Sequence, residues 1–126
     1  YVQAVQGGIF TIKTNEHDEQ VELEMTACYA YGHQKQIEKI VKPGEGLVGQ
    51  VYLSQKTLQL DNIPNDYPKI TSGLGDALPN HLLIVPLKLG DQVEGVIELA
   101  SFSPFKEHEV EFVNRLGESI AATLLA

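Results

Sequence analysis

The sequence predicts an α+β domain built around an antiparallel sheet. Three observations carry that expectation. Two pairs of strand-like runs are each joined by a polar turn and so read as hairpins. The segments between the hairpins are short and mixed, without the regular strand–helix alternation that builds a parallel sheet. A long helical pattern closes the chain. With 126 residues, 43% of them hydrophobic and 21% charged, this is the composition of one globular domain with one core.

The first hairpin comes from residues 2 to 13, rich in Val, Ile, Phe and Thr, and residues 20 to 31. In the second run Val21, Leu23, Met25, Ala27, Tyr29 and Tyr31 recur with period two, which places all six on one face of a strand. On the other face Glu22 and Glu24 give way to Thr26, Cys28 and Ala30. Those small side chains suit a place where something packs close. The tip "TNEHDEQ" is longer than a two-residue turn. Ile37, Ile40 and Val41 predict a short third strand. Gly46 to Lys56 reads as a helix with Leu47, Val48, Val51 and Tyr52 on its apolar face. "TLQL" at 57–60 reads as another short strand.

Asp61 to Asn80 is crowded with turn formers and breakers, among them Pro64, Pro68, Gly73, Gly75 and Pro79. A segment of this kind in a compact domain reads as a functional lid or a mobile stretch. The second hairpin follows, "HLLIVPLKL" and "VEGVIELASF" flanking Gly90-Asp91-Gln92. Its first run is almost wholly apolar, as in a central strand covered on both faces. Pro86 cannot donate to the ladder and predicts a bulge or an unpaired position there. Ser103 is placed as the cap of the terminal helix, with Pro104 at its first position. Val113, Leu116, Ile120 and Leu124 form the stripe expected to cover the sheet, and Gly117 and Ala121 beside it would let a neighbour approach.

Gly44, Gly46 and Gly49 spell G-x-G-x-x-G, the pattern of a dinucleotide-binding turn. The context disagrees. Pro43 separates strand from turn, Glu45 would repel a pyrophosphate, and the surrounding strands are antiparallel hairpins rather than the required parallel unit. The glycines read instead as a tight turn that launches a helix packed closely on the sheet. None of His17, His33, His81 and His108 is spaced from another His or from Cys28 as metal ligands are. His17 and His108 read as surface residues. His81 stands where the lid meets a buried strand. Glu98 is a carboxylate inside the apolar run "GVIELAS" and reads either as a partly exposed residue or as a polar group in a cavity. Tyr67, in the lid between Asp66 and Pro68, suits a site with apolar walls and polar tips.

Charge narrows the partners. Nine basic against seventeen acidic residues leave −8, a field that repels nucleic-acid backbones and anionic lipid surfaces. No apolar run reaches the roughly 18 residues of a membrane span. The single cysteine, Cys28, allows no intrachain disulfide and fits a reducing, cytoplasmic setting. The opening on Tyr1 and a close without a helix stop are expected of a piece excised from a longer protein.

The succession "GEGLVGQVYLSQKTLQLDNI", the "DYP" lid, "LLIVPLKLGDQVEGVIELASF" and "FKEHEVEFVNRLGESIAATL" resembles the GAF domain over nearly the whole chain. The resemblance implies a GAF-like (profilin-like) antiparallel sheet of five or six strands. Terminal helices pack on one face and often build dimers; here the helix that usually precedes the first strand is missing. Loops and short helices cover the other face, where a ligand sits when there is one. The roof would then be Asp61 to Asn80, supplying Asp61, Tyr67, Ile70 and Ser72 as candidate contacts. Cys28 and Ala30 would belong to the floor, with His81 and Glu98 from the second hairpin.

The same resemblance implies a non-catalytic sensory or regulatory domain of a signalling protein such as a bacterial histidine kinase or cyclase. It would bind an unidentified small molecule, pair into a homodimer through terminal helices, and be covalently linked to an output domain. The N-K-x-F-D-E signature of cyclic-nucleotide-binding members is absent, and no lid cysteine could attach a bilin. Haem would need an axial ligand, for which His81 is the candidate. No cofactor is assigned. Two alternatives stand beside the sensory reading. One is a domain that binds nothing and only dimerises or spaces its neighbours. The other is a reductase of the free methionine sulfoxide type at Cys28, although such chemistry uses several cysteines.

Overall fold

The computed structural model describes residues 6–30, 40–62 and 80–125, with residues 28–30 and 125 described by their backbone alone. The elements in order are β1 (Gln6–Thr14), β2 (Val21–Ala30), β3 (Ile40–Val41), α1 (Gly46–Ser54), β4 (Leu58–Leu60), β5 (His81–Leu89), β6 (Gln92–Ser101) and α2 (Glu107–Leu125). The strands form one six-stranded sheet in the order β3-β2-β1-β6-β5-β4. Every pairing is antiparallel. The fold is therefore the α+β class the sequence predicts.

Strand alternation divides the core in two. Leu82 and Ile84 of β5 face α1 and pack with Phe10, Leu23, Val96, Val48 and Val51. Leu83 and Val85 face the opposite way, toward Phe105 and Val113. Leu87 and Ile97 join Ala121 on that second face. Burial on both sides explains why β5 lacks a polar alternation. At Gly95 the backbones of β6 and β1 come so close that a β-carbon would collide with the Phe10 carbonyl.

The turns follow from local chemistry. Residues 15–20 close the first hairpin: the Asn15 N–H donates to the Gln20 carbonyl at 2.8 Å, and the Asn15 side chain accepts from the His17 N–H at 2.8 Å. The second hairpin turns through Gly90 and Asp91, with Gly90 at φ +64. α1 ends at Ser54, two residues before Lys56, where the sequence pattern placed its end. Gln55 takes the left-handed conformation at φ +61 and donates its N–H to the Val51 carbonyl.

Four expectations are corrected. First, a bulge in β2 shifts the register between Ile9 and Phe10, so that Met25 pairs with Phe10 and Ala27 with Ile9. Thr26 is the extra residue. Val21, Leu23 and Met25 thus share the α1 face, while the Ala27 position falls on the α2 face. Tyr31 lies outside the described residues. Second, the irregularity in the β5–β6 hairpin falls between Leu87 and Lys88, and Pro86 keeps its place opposite Val96.

Third, α2 begins at Glu107 and not at Pro104. The Lys106 N–H donates to Glu109 Oε1 at 2.8 Å, half of a capping box, and Phe105 staples against Val110. Ser101, not the helix, engages Ser103: its Oγ accepts the Ser103 N–H at 3.1 Å. Fourth, the helix seats Val113, Gly117 and Ala121 on the sheet. A β-carbon at Gly117 would stand 3.3 Å from the Pro86 carbonyl oxygen, so the small residues serve the sheet contact. Leu116 and Leu124, placed by the sequence pattern on the covering stripe, are 41% and 43% exposed.

Candidate functional site

The face toward α1 is organised in rows that run across the strands. One row is Cys28, Gly8, Glu98, Ile84 and Leu58; the next is Ala30, Gln6, Ala100, Leu82 and Leu60. Register thus brings the positions of Cys28, Ala30 and Glu98, candidates from distant parts of the sequence, onto adjacent rows at the middle of the sheet. The bulge at Thr26 is what puts positions 28 and 30 there. Without it they would fall opposite Leu23 and Met25.

Glu98 is 0% exposed, among Val96, Ala100, Ile84 and Leu82, all buried. Gln6 is buried as well and is its diagonal neighbour across β1 and β6, close enough for two long side chains to share surroundings. A carboxyl group in such a place is tolerated only when a proton, hydrogen-bond donors or a cation compensate it. These two polar side chains are buried among otherwise apolar neighbours on this face. Gln6 was not singled out from the sequence. Its signal was parity: it falls two and four residues before Gly8 and Phe10, on the inward side of β1.

His81 lies elsewhere. Alternation along β5 puts it on the face of Leu83 and Val85, toward α2, opposite Ser101. Its side chain is 13% exposed, and Nδ1 lies 3.5 Å from Oδ1 of Asp61, whose carboxylate is largely in water. The two form an ion pair only with a protonated imidazole. They face each other where β4 and β5 meet residues 61–80, so they bracket the two ends of that segment rather than the floor. Tyr67, Ile70 and Ser72 lie outside the described residues, as does most of the predicted roof.

The G-x-G-x-x-G turn is closed upon itself. Gly44 and Gly46 take φ +84 and +62, and the Gly44 N–H donates to the Gly49 carbonyl at 3.0 Å. Glu45 folds back so that its Oε1 accepts the Lys42 N–H at 3.0 Å. A β-carbon at Gly49 would stand 2.5 Å from the Lys42 carbonyl oxygen. The turn supplies a close approach of backbones, and its mouth carries a carboxylate where a phosphate would need to be. Among the described residues no group of three or more His, Cys, Asp or Glu side chains could hold a metal ion. No helix among them is long and apolar enough to cross a membrane.

The other face offers a different surface. α2 covers β5 and β6 and leaves beside it an apolar groove of about 270 Å3, lined by Gly7, Ile9, Ala27, Leu99, Leu116 and Ile120 among others. Phe112 and Leu116 stand exposed along that side of the helix.

Comparison with known proteins agrees with this architecture. Three solved structures with the same fold illustrate its range. The GAF domain of a phosphoenolpyruvate-protein phosphotransferase from Coxiella burnetii superposes with a TM-score of 0.72 at 22% identity, over 97% of this chain and 72% of that one. The GAF-B domain of DevS from Mycobacterium smegmatis gives 0.67 at 20% identity, over 94% and 78%. A type II free methionine-R-sulfoxide reductase from Thermoplasma acidophilum gives 0.67 at 14% identity, over 95% and 78%. At these identities the likeness is one of fold. No curated protein sequence matches the chain. The family model of the GAF domain matches residues 2–124, and the chain belongs to the GAF domain family.

Proposed function

We propose that this domain is a non-catalytic sensory or regulatory module that binds a small molecule on the α1 face of its sheet. The observation that carries this reading is the pair of buried polar side chains, Glu98 and Gln6, in an otherwise apolar floor. A largely apolar site with a few placed polar groups is the usual form of a small-molecule pocket. Asp61, Tyr67, Ile70 and Ser72 would contribute from the segment between β4 and β5, and Cys28 and Ala30 from the floor. His81, paired with Asp61, would fix the ends of that segment. The parent would be a signal-transduction protein, a bacterial histidine kinase or cyclase, with the output domain covalently attached. A net charge of −8 supports a domain without nucleic-acid or membrane contact, and the single cysteine fits a cytoplasmic setting.

A thermal-shift and native mass-spectrometry screen with nucleotides and metabolites tests the reading. A ligand present at 100 times its Kd should add about 2.7 kcal/mol of stability. Glu98→Gln keeps the shape and removes the charge, and should weaken binding of that compound by tenfold or more. If no compound shifts the melting point and no bound species is seen, the sensory reading fails.

A second reading, a spacer or dimerisation domain, is favoured by exposed Phe112, Leu116 and Leu124 on α2. The third, a reductase, has its support in the fold shared with free methionine-R-sulfoxide reductases. It is opposed by the presence of one cysteine only, since an intramolecular disulfide needs two. Turnover of free methionine sulfoxide by the parent, abolished in Cys28→Ser, would establish it against the proposal.

A further inference from the structure

β4 is three residues long, forms the edge of the sheet, and leads directly into the segment between β4 and β5. Its two faces are engaged with different layers. Leu58 and Leu60 pack into the α1-side core. The residues between and before them reach to the other side. Gln59 Nε2 donates to the Phe105 carbonyl at 3.1 Å, on the turn that starts α2. Thr57 Oγ1 donates to Asn114 Oδ1 at 2.7 Å, in the middle of α2 and 57 residues away in sequence. Asn114 is itself held in place, because its Nδ2 donates to the Val110 carbonyl at 3.0 Å. All three bonds are partly buried. At the start of this connection Lys88 Nζ donates to the Gln55 carbonyl at 2.9 Å, fixing the end of α1 to β5.

We propose that Thr57 and Gln59 form a latch that couples β4 to α2 across the edge of the sheet. Among the described residues the α1-side and α2-side cores are separate clusters joined through β5 and β6, which carry side chains into both, and β4 adds a polar connection at the edge of the sheet. β4 is suited to that part. It lies at the edge of the sheet, and the polar side chains at Thr57 and Gln59 end on two separate points, Asn114 within α2 and Phe105 on the turn before it. A shift of β4 along its axis would pull on Phe105 and Asn114 together, and a shift of α2 would act on β4 in return, as coupling must be reciprocal. The latch is a property of the ligand-free fold and stands or falls apart from the sensory reading.

Amide hydrogen exchange on the unliganded chain tests it, with Thr57→Val, Asn114→Ala and the double variant. Thr57→Val preserves shape and removes the donor. Each single change should raise exchange across the latch by about two- to tenfold, the range for one net hydrogen bond. Thr57→Val should do so at residues 110–118 of α2, and Asn114→Ala at Leu58–Leu60. The double variant should exceed Asn114→Ala by no more than about twofold, because Asn114→Ala already removes the Thr57 bond together with the bond to the Val110 carbonyl. Exchange in the β1–β2 hairpin, which neither residue touches, should stay unchanged. The proposal is overturned if each change acts only on its own element, if the effects add, or if exchange rises uniformly along the chain, which would mark general loss of stability.

Discussion

Glu98 and Gly49 show how one residue can carry opposite kinds of information. Glu98 breaks an apolar run and is fully buried at the centre of the α1 face. Replacing it by Leu should raise the unfolding free energy of the ligand-free domain or leave it unchanged, since an apolar side chain of similar volume suits such a floor. The same change should abolish binding of any compound found in the screen; denaturant unfolding and titration read the two effects separately. Gly49 breaks a helical pattern for steric reasons alone. Gly49→Ala should destabilise by about 1–3 kcal/mol, as in an overpacked core, because the new methyl group meets backbone that cannot rotate away. Urea denaturation gives that number. Glu98 was legible in the sequence as an exception. The role of Gly49 was legible only in outline, because the Lys42 carbonyl it approaches comes from the preceding turn.

At the scale of elements, the helix ends and the strand faces carry the predictions. Gln55 holds a left-handed conformation without being glycine. Gln55→Gly should stabilise the domain by about 1 kcal/mol in thermal or chemical unfolding, because the cost of a β-carbon in that conformation disappears. Glu109→Ala removes the acceptor for the Lys106 N–H and should cost about 1 kcal/mol. The pattern along α2 gave its existence but placed its start too early and misjudged its seat. Leu116 and Leu124 repeat at helical spacing as core residues would, yet Gly117 and Ala121 take the contact, since small residues let the helix backbone approach the Pro86 carbonyl. β2 misled in the same way. Perfect alternation from Val21 to Tyr31 is interrupted by one extra residue, and nothing in the residue types announces a bulge.

For the molecule as a whole, the two covered faces are unequal. The α1 face holds buried polar groups, and the α2 face an apolar groove beside an exposed helix edge. If that edge joins two copies, Phe112→Glu and Leu116→Glu should each convert a dimer to a monomer in sedimentation velocity. Neither should lower the melting temperature of the monomer, as both side chains already meet water. A chain that sediments as a monomer before any substitution would remove dimerisation through α2 by this domain. The proposed ligand face and the exposed edge of α2 lie on opposite sides of the sheet, so Glu98→Gln should leave sedimentation unchanged.

Local chemistry in the sequence determined the number and order of the strongest elements, the antiparallel hairpins, and the exclusion of a phosphate cradle. Alternation, turn residues and charge act over a few positions and can be read in one dimension. Register, the bulge at Thr26, the seat of α2 and the convergence of Gln6, Glu98 and position 28 were decided by the tertiary structure. Each depends on which residue of a distant strand or helix stands opposite, and backbone proximity at Gly49, Gly95 and Gly117 decides that only once the layers are packed.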